Sequence, residues 1–255
     1  MRKRLGIVIV NWNNKREILK CLKSLKKAGC LNLNNVVVVD NGSTDGSVEK
    51  LRTQYLELRT KIRENKENLG YAEGNNRGIN YLLKRGIQYI LILNPDTVVE
   101  KDAINKLLEV MKKDKTIGIV GPKIYDKDKK IWSCGGVIDK WRYSGGLIGL
   151  GEKDKGQYDE MREVDYISGT AILVRRKVFE AVGWFEAQYF AYYEDAELCL
   201  RAKKKGLKIV FVPDAVIYHK ESSSFGKDSP AHSYYMARNH LLYVERNAQI
   251  GRAHV

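Results

Sequence analysis

The chain has 255 residues, 44% of them hydrophobic, and its 45 lysines and arginines against 31 aspartates and glutamates give a formal charge of +14. That length buries a full core and suits a single α/β domain, while no apolar run approaches the length of a membrane span. The basic surplus attracts polyanions, but it is scattered over helix faces such as "KKDK" and "RAKKKG", with no basic tail or aromatic-studded stripe, which argues against a nucleic-acid partner.

The first apolar run, Leu5 to Val10, follows the basic "MRKR" but is too short for the core of a signal peptide and reads as a buried strand. Val36 to Val39, Lys61 to Glu64 and Tyr89 to Leu93 are the next strand candidates. Between them "REILKCLKSLKK", "SVEKLRTQYLEL" and "EGNNRGINYLLKRG" carry apolar residues at helical spacing. Alternating strands and helices imply a mostly parallel sheet with helices on its faces, and such sheets bind ligands at the carboxyl ends of their strands. Asn11 to Asn13, Asp40 to Asp45 and Asn94 to Asp96 all fall there, so they are expected along one rim. Asp40, which closes four valines in "VVVVDNGSTDGS", is expected to receive a ligand.

Beyond Lys101 a helix, "KDAINKLLEVMKKD", leads into the strand "IGIVGPKIY", and the Gly- and Trp-rich stretch from Asp126 to Gly156 reads as a hairpin or mobile loop. "KIVFVPDAVIYH" reads as a strand pair broken by Pro213, and "HSYYMARNHLLYVERNA" as a helix. The four cysteines, Cys21, Cys30, Cys134 and Cys199, lack metal-ligand spacing and are expected as free thiols in a reducing compartment. The terminal "IGRAHV", residues 250–255, matches the translation of a sequencing-adapter read and is set aside, which leaves one domain over 1–249.

Three stretches carry chemistry. In "ILILNPDTVVE" the strand ends at Asn94, Pro95 sets the turn and Asp96 projects; a turn former is the plain reading, and an oxygen ligand for a hard divalent cation the functional one. "NKENLGYAEGNNRG" sets Gly70, Gly74 and Gly78 among Asn68, Asn75 and Asn76 at a helix start, either a structural turn or a close approach to an anion. In "YYEDAELCLR", Glu194, Asp195 and Glu197 complement a helix dipole, with Arg201 placed for a salt bridge. Trp184, Phe190, Tyr192 and Tyr193 just upstream would wall a carboxylate in apolar surroundings and raise its pKa toward use as a general base. His219 ends a strand, where an imidazole could complete a metal site with Asp96.

"VIVNWNN", "VVVVDNGSTDGS", "NLGYAEGNNRG", "LNPD", "SGTAILVRR" and "FAYYEDAELCLRAKKKG", in that order, resemble the inverting family 2 glycosyltransferases of GT-A fold, and most of all their rhamnosyltransferase-like branch. The resemblance implies an α/β nucleotide-diphospho-sugar transferase fold with a small antiparallel portion on the acceptor side, residues 1–100 forming the nucleotide-binding half and 101–249 the acceptor and catalytic half. It implies that Asp40 reads the N3-H of a uracil or thymine and that Asn11, Gly70 and Asn75 line the nucleotide. Asp96 would hold Mg2+ or Mn2+ against the donor diphosphate, with Asp195, beside Glu194, as the base. The donor so implied is dTDP-rhamnose, with a UDP-sugar as the alternative, and the acceptor a glycan or polyprenyl-linked saccharide of cell-surface polysaccharide synthesis. The enzyme would lie in the cytoplasm, peripheral on the inner face of the membrane. Asn94 stands where the family's Asp-x-Asp motif has its first acid, which removes one charge from the metal site. A non-catalytic sugar-nucleotide-binding protein is the reading from another class; it would keep Asp40 and lose the base.

Overall fold

The computed structural model describes residues 4–29, 35–55, 61–139, 141–220 and 229–248. Cys30 and the 250–255 tail lie outside the described residues. The amino-terminal half alternates as expected: β1 (Leu5–Asn11), α1 (Lys15–Lys27), β2 (Val36–Asp40), α2 (Ser47–Gln54), β3 (Lys61–Glu64), α3 (Gly70–Lys84) and β4 (Tyr89–Leu93). There follow β5 (Thr97–Val99), α4 (Ala103–Lys113), β6 (Ile117–Tyr125), β7 (Ile131–Ser133), β8 (Gly136–Ile138), β9 (Gly145–Leu147) and β10 (Arg162–Glu163). Last come β11 (Ala171–Arg175), α5 (Arg176–Val182), a 3-10 turn (Ala187–Tyr189), α6 (Glu194–Lys204), β12 (Lys208–His219) and α7 (Pro230–Asn247).

The main sheet runs β10-β12-β6-β11-β4-β1-β2-β3, with β5 added to β12 and β7 to β6, while β8 and β9 form a separate hairpin. β3, β2, β1 and β4 are mutually parallel, as are β6 and β12; β11 lies antiparallel between β4 and β6. Every residue of β2 is buried because both faces are covered. Val36 and Val38 enter a core with α1 and α4, and Val37 and Val39 enter the opposite core with α3, α5 and α6. β3 ends the sheet as a charged, largely exposed edge strand, "KIRE", which discourages further pairing. In α1, Ile18, Cys21, Leu22 and Leu25 recur at helical spacing and are fully buried.

One expectation changes. The stretch around Pro213 is one twelve-residue strand and not a pair: between Val212 and Val216 the register on β6 advances by a single residue, Pro122 to Lys123, so a bulge absorbs Pro213, which has no N–H to give the ladder. The 126–156 stretch contains a hairpin, β8 on β9, the first of the two alternatives read from the sequence. Lys123, buried in β6, donates to Asp154 at 2.8 Å and to Asp159 at 2.6 Å, which ties this stretch to the sheet.

Candidate active site

The register of β1 on β2 sets Asn11 beside Asp40, bringing the two polar strand ends together. Asn11 Nδ2 donates to Asp40 Oδ1 (2.9 Å), to Ser43 Oγ (3.1 Å) and to Ser47 Oγ (3.0 Å), and Asp40 also accepts from the Ser43 amide (2.8 Å) and hydroxyl (2.7 Å). Asp40 thus ends its strand at the rim with its carboxylate already hydrogen-bonded. It is 1% exposed and closes an Asx turn, the local bond that a carboxylate before Asn-Gly-Ser readily makes. Asn11 and Asn75 are likewise fully buried.

A cavity of about 570 Å³ opens beside this layer. Asn68, Gly70, Asp96, Glu194, Asp195 and His219 line it, whereas Asn11, Asp40 and Asn75 are not among its lining residues. The polar lip is a chain of amides: Asn65 Nδ2 donates to Asn41 Oδ1 (2.8 Å), Asn41 Nδ2 to the Gly70 carbonyl (2.9 Å) and Asn68 Oδ1 (3.2 Å), and the Gly70 amide to Asn68 Oδ1 (2.9 Å). Gly70 has φ +78° and a Cβ there would lie 2.6 Å from Phe190, so only glycine fits.

Asp96 leaves the turn after β4, and His219 ends β12, which β5 pairs through His219 and Thr97. Their side chains meet with His219 Nε2 3.2 Å from Asp96 Oδ1, both nearly buried, while His219 Nδ1 has no hydrogen-bond partner. The Trp132 ring packs against the imidazole in a T-shaped contact, 4.7 Å between ring centroids.

At the other carboxylate pair, Asp195 Oδ2 accepts from the Gly169 amide (2.7 Å) and Oδ1 from the Ala196 amide (2.7 Å). Burial raises its pKa against the pull of these amides. Glu194 is pushed well above the usual carboxylate range, first by burial and then by the Asp195 charge, and its Oε2 has no partner. Burial thus disfavours the anion at both carboxyls, and the Asp195 charge adds to that push at Glu194. Glu197 turns away to a salt bridge with Arg201 (2.7 Å). Phe190, Tyr192 and Tyr193 wall the cavity as expected; Trp184 does not line it and is 38% exposed. These three wall aromatics have φ of 64°, 73° and 73°, and the Ala191 amide bonds back to the Tyr189 carbonyl (2.7 Å) across Phe190 in a γ-turn of the strained hand.

Other lining residues went unseen in the sequence. Ser168 to Thr170 enter because β11 carries them antiparallel alongside the end of β4. Trp132, Leu147 and Leu150 come from the hairpin region, and His232 and Met236 from α7. The motif "SGTAILVRR" was a signal for the first group; nothing local marked the others.

A sequence profile of the family described as "Glycosyl transferase family 2" matches residues 6–183. The dTDP-rhamnosyl transferase RfbF of Shigella flexneri is 31% identical over 260 residues, covering 97% of this chain and 82% of its own. The N-acetylglucosaminyl-diphospho-decaprenol L-rhamnosyltransferase of Mycobacterium tuberculosis is 29% identical over 217 residues, covering 78% and 70%. Among solved structures, the Pyrobaculum calidifontis mannosyltransferase PcManGT in complex with GDP-Man and Mn2+ superposes with a TM-score of 0.64 at 18% identity, over 98% of this chain and 66% of that one. GalNAc-T7 with UDP, GalNAc and Mn2+ superposes with a TM-score of 0.71 at 19% identity, over 94% of this chain, which spans about half, 47%, of that protein. At such identities the structural likeness establishes the fold alone, that of the GT-A glycosyltransferases.

Proposed function

The chain belongs to glycosyl transferase family 2, in its rhamnosyltransferase-like branch, and from that premise we propose that it moves rhamnose from dTDP-rhamnose, with inversion, onto a lipid-linked saccharide. It is a glycosyltransferase. One observation carries the mechanism: a carboxylate–imidazole pair and a buried carboxylate dyad face the same cavity.

The Asn68–Gly70 lip takes the nucleotide diphosphate, since its polar groups and backbone line the cavity without a bulky side chain. Asp40 and Asn11 hold the Ser43–Ser47 turn in place. Asp96 and His219 suit a divalent cation: adjacent ligands of an octahedral ion at its usual bond length stand about 3 Å apart, close to their separation. Among the described residues no group of three or more His, Cys, Asp or Glu is placed to hold a metal, so an ion here would leave positions open to substrate oxygens. When bound, Mg2+ or Mn2+ would neutralise charge developing on the leaving diphosphate.

Asp195 takes the proton of the acceptor hydroxyl as that oxygen attacks the anomeric carbon and the C–O bond to the diphosphate breaks, a single displacement that inverts the centre. Glu194, whose neutral form burial favours, spares Asp195 a second adjacent charge. The reading treats residues 1–249 as one domain with its donor half in 1–100 and its acceptor half in 101–249. No described helix is long and apolar enough to cross a membrane, and the charge of +14 supports peripheral association with an anionic inner leaflet.

The test is calorimetric titration with dTDP-rhamnose, UDP-sugars and GDP-mannose, with and without Mn2+, followed by transfer to polyprenyl-diphospho-N-acetylglucosamine. Preferential, metal-enhanced binding of dTDP-rhamnose and formation of a rhamnosylated lipid are expected. Asp195→Asn should keep donor binding and lose transfer by about a hundredfold or more. Preference for a UDP-sugar would replace the donor, and normal transfer by Asp195→Asn would remove the base.

A further inference from the structure

The turn before α6 holds three aromatic residues in left-handed backbone, an arrangement that persists only where neighbouring groups enforce it. Those groups come largely from α7. Asn239 is fully buried, and its Nδ2 donates to three carbonyls of the turn: Tyr189 (2.8 Å), Ala191 (2.6 Å) and Tyr192 (2.8 Å). All three partners are acceptors, so the amide orientation is settled, and Asn239 Oδ1 accepts from Arg238 Nε (3.0 Å). Arg238 adds a bond to the Tyr189 carbonyl (3.0 Å), and Tyr235 stacks on Phe190 with centroids 4.9 Å apart. From the other side the Tyr71 and Ala72 amides at the start of α3 both bond the Phe190 carbonyl, and the Tyr71 hydroxyl bonds the Gly169 carbonyl, whose own residue's amide holds Asp195. The turn thus joins the donor-side helix to the carboxylate dyad, and α7 keeps it shut.

We propose that Asn239 is a positioning residue for transfer: its side-chain amide holds the 189–193 turn in the path that sets Asp195 at the head of α6 and Phe190 and Tyr192 on the cavity wall. The proposal rests on the reading of Asp195 as the base. Asn239 and Asp195 both lie beyond the residues matched by the family profile, and no sequence motif linked them. The bonds are also separable from the docking of α7, which has its own anchors in the buried Tyr243, the Arg246–Glu186 ion pair (3.0 Å) and the Lys204–Asn247 bond (3.0 Å). Removing the amide leaves three carbonyls converging without a common donor, so the turn relaxes while the helix stays.

The experiment compares Asn239→Ala with the unaltered chain for kcat, donor KM and the pH profile of kcat, with Asp195→Asn run alongside. The titratable groups facing Asp195 are Glu194 and Cys199 of its own helix, Tyr71 of α3 and Tyr166 from the segment before β11. The expected result is a kcat lowered about tenfold or more with donor KM within about threefold. The acid limb should also move to higher pH as Asp195 loses its hold on the Gly169 amide. An unchanged kcat and acid limb would overturn the proposal, and so would a kcat that falls only in step with the folded, donor-binding fraction. Should the alanine variant lose its near-ultraviolet circular dichroism, Asn239→Ser, smaller but still a donor, takes its place with the same two readings. If Asp195→Asn transfers at the normal rate, the base reading fails; if it is inactive while Asn239→Ala behaves as the parent, the positioning role alone fails.

Discussion

Glu194 and Asp195 are neighbours in sequence with different work to do, and their surroundings divide it. Both are buried; Asp195 accepts from the Gly169 and Ala196 amides, while burial and then the Asp195 charge favour a proton on Glu194, one of whose oxygens has no partner. Its folded pKa lies well above its ordinary 4.5, so the folded state binds this proton more tightly than the unfolded chain. The resulting stability is fully present below about pH 4.5 and is lost as pH rises through the folded value. Glu194→Gln keeps the shape and removes the titration. Its melting temperature should exceed the parent's at about pH 8, with the gain shrinking toward about pH 5, as read by thermal scans across pH. Transfer should survive in this variant, in contrast to Asp195→Asn; abolished transfer would move the base to Glu194. The sequence showed the acids and the aromatics around them, but the amide that holds Asp195 belongs to Gly169, 26 residues away.

At the scale of elements, α3 explains why the glycines of "NLGYAEGNNRG" recur. Gly70 passes Phe190, and further along the helix Gly78 faces β1, where an added Cβ would stand 2.4 Å from Val8 Cγ1 and 3.3 Å from Val39 Cγ2. Valine has few rotamers to escape into, so Gly78→Ala should overpack the joint by about 1–3 kcal/mol, of which better helix propensity returns at most about 1. A lower urea midpoint with an unchanged slope is expected; a raised midpoint would mean the helix can lift from the sheet without cost. The strands of this half were legible because their apolar runs and polar ends are local. β3 and β4 fall on the boundaries read from sequence, and β1 and β2 extend those by one residue each, to Asn11 and Asp40. β12 was misread because Pro213 looks like a strand breaker until β6 is beside it to accommodate a bulge. α7 was recognised as a helix, but the purpose of Asn239 was invisible, since its partners lie 47 to 50 residues away.

Across the whole molecule, the acceptor side is held to the sheet by the buried Lys123, whose partners Asp154 and Asp159 come from the stretch that ends the hairpin region. Burial opposes ionisation of Asp154, yet bonds from Lys123 and Tyr125 outweigh it and hold the carboxyl down to about 2. A depressed carboxyl stabilises the fold above its ordinary 3.8 and loses that contribution as pH falls toward 2. Asp154→Asn should therefore lower the melting temperature near neutrality and flatten its fall between about pH 4 and pH 2; an acid limb identical to the parent's would show that the tie carries no stability. The sequence by itself determined the alternation of strands and helices, the polar strand ends, the two carboxylate stretches and the order of motifs, because periodicity, apolar runs and turn residues act over a few neighbours. Only the tertiary structure decided that Asp40 bonds within its own turn, that His219 meets Asp96, that the Gly169 amide holds Asp195 and that α7 bonds the turn before Asp195. Each of these depends on strand register or on contacts between residues far apart in the chain, and local pattern carries no record of either.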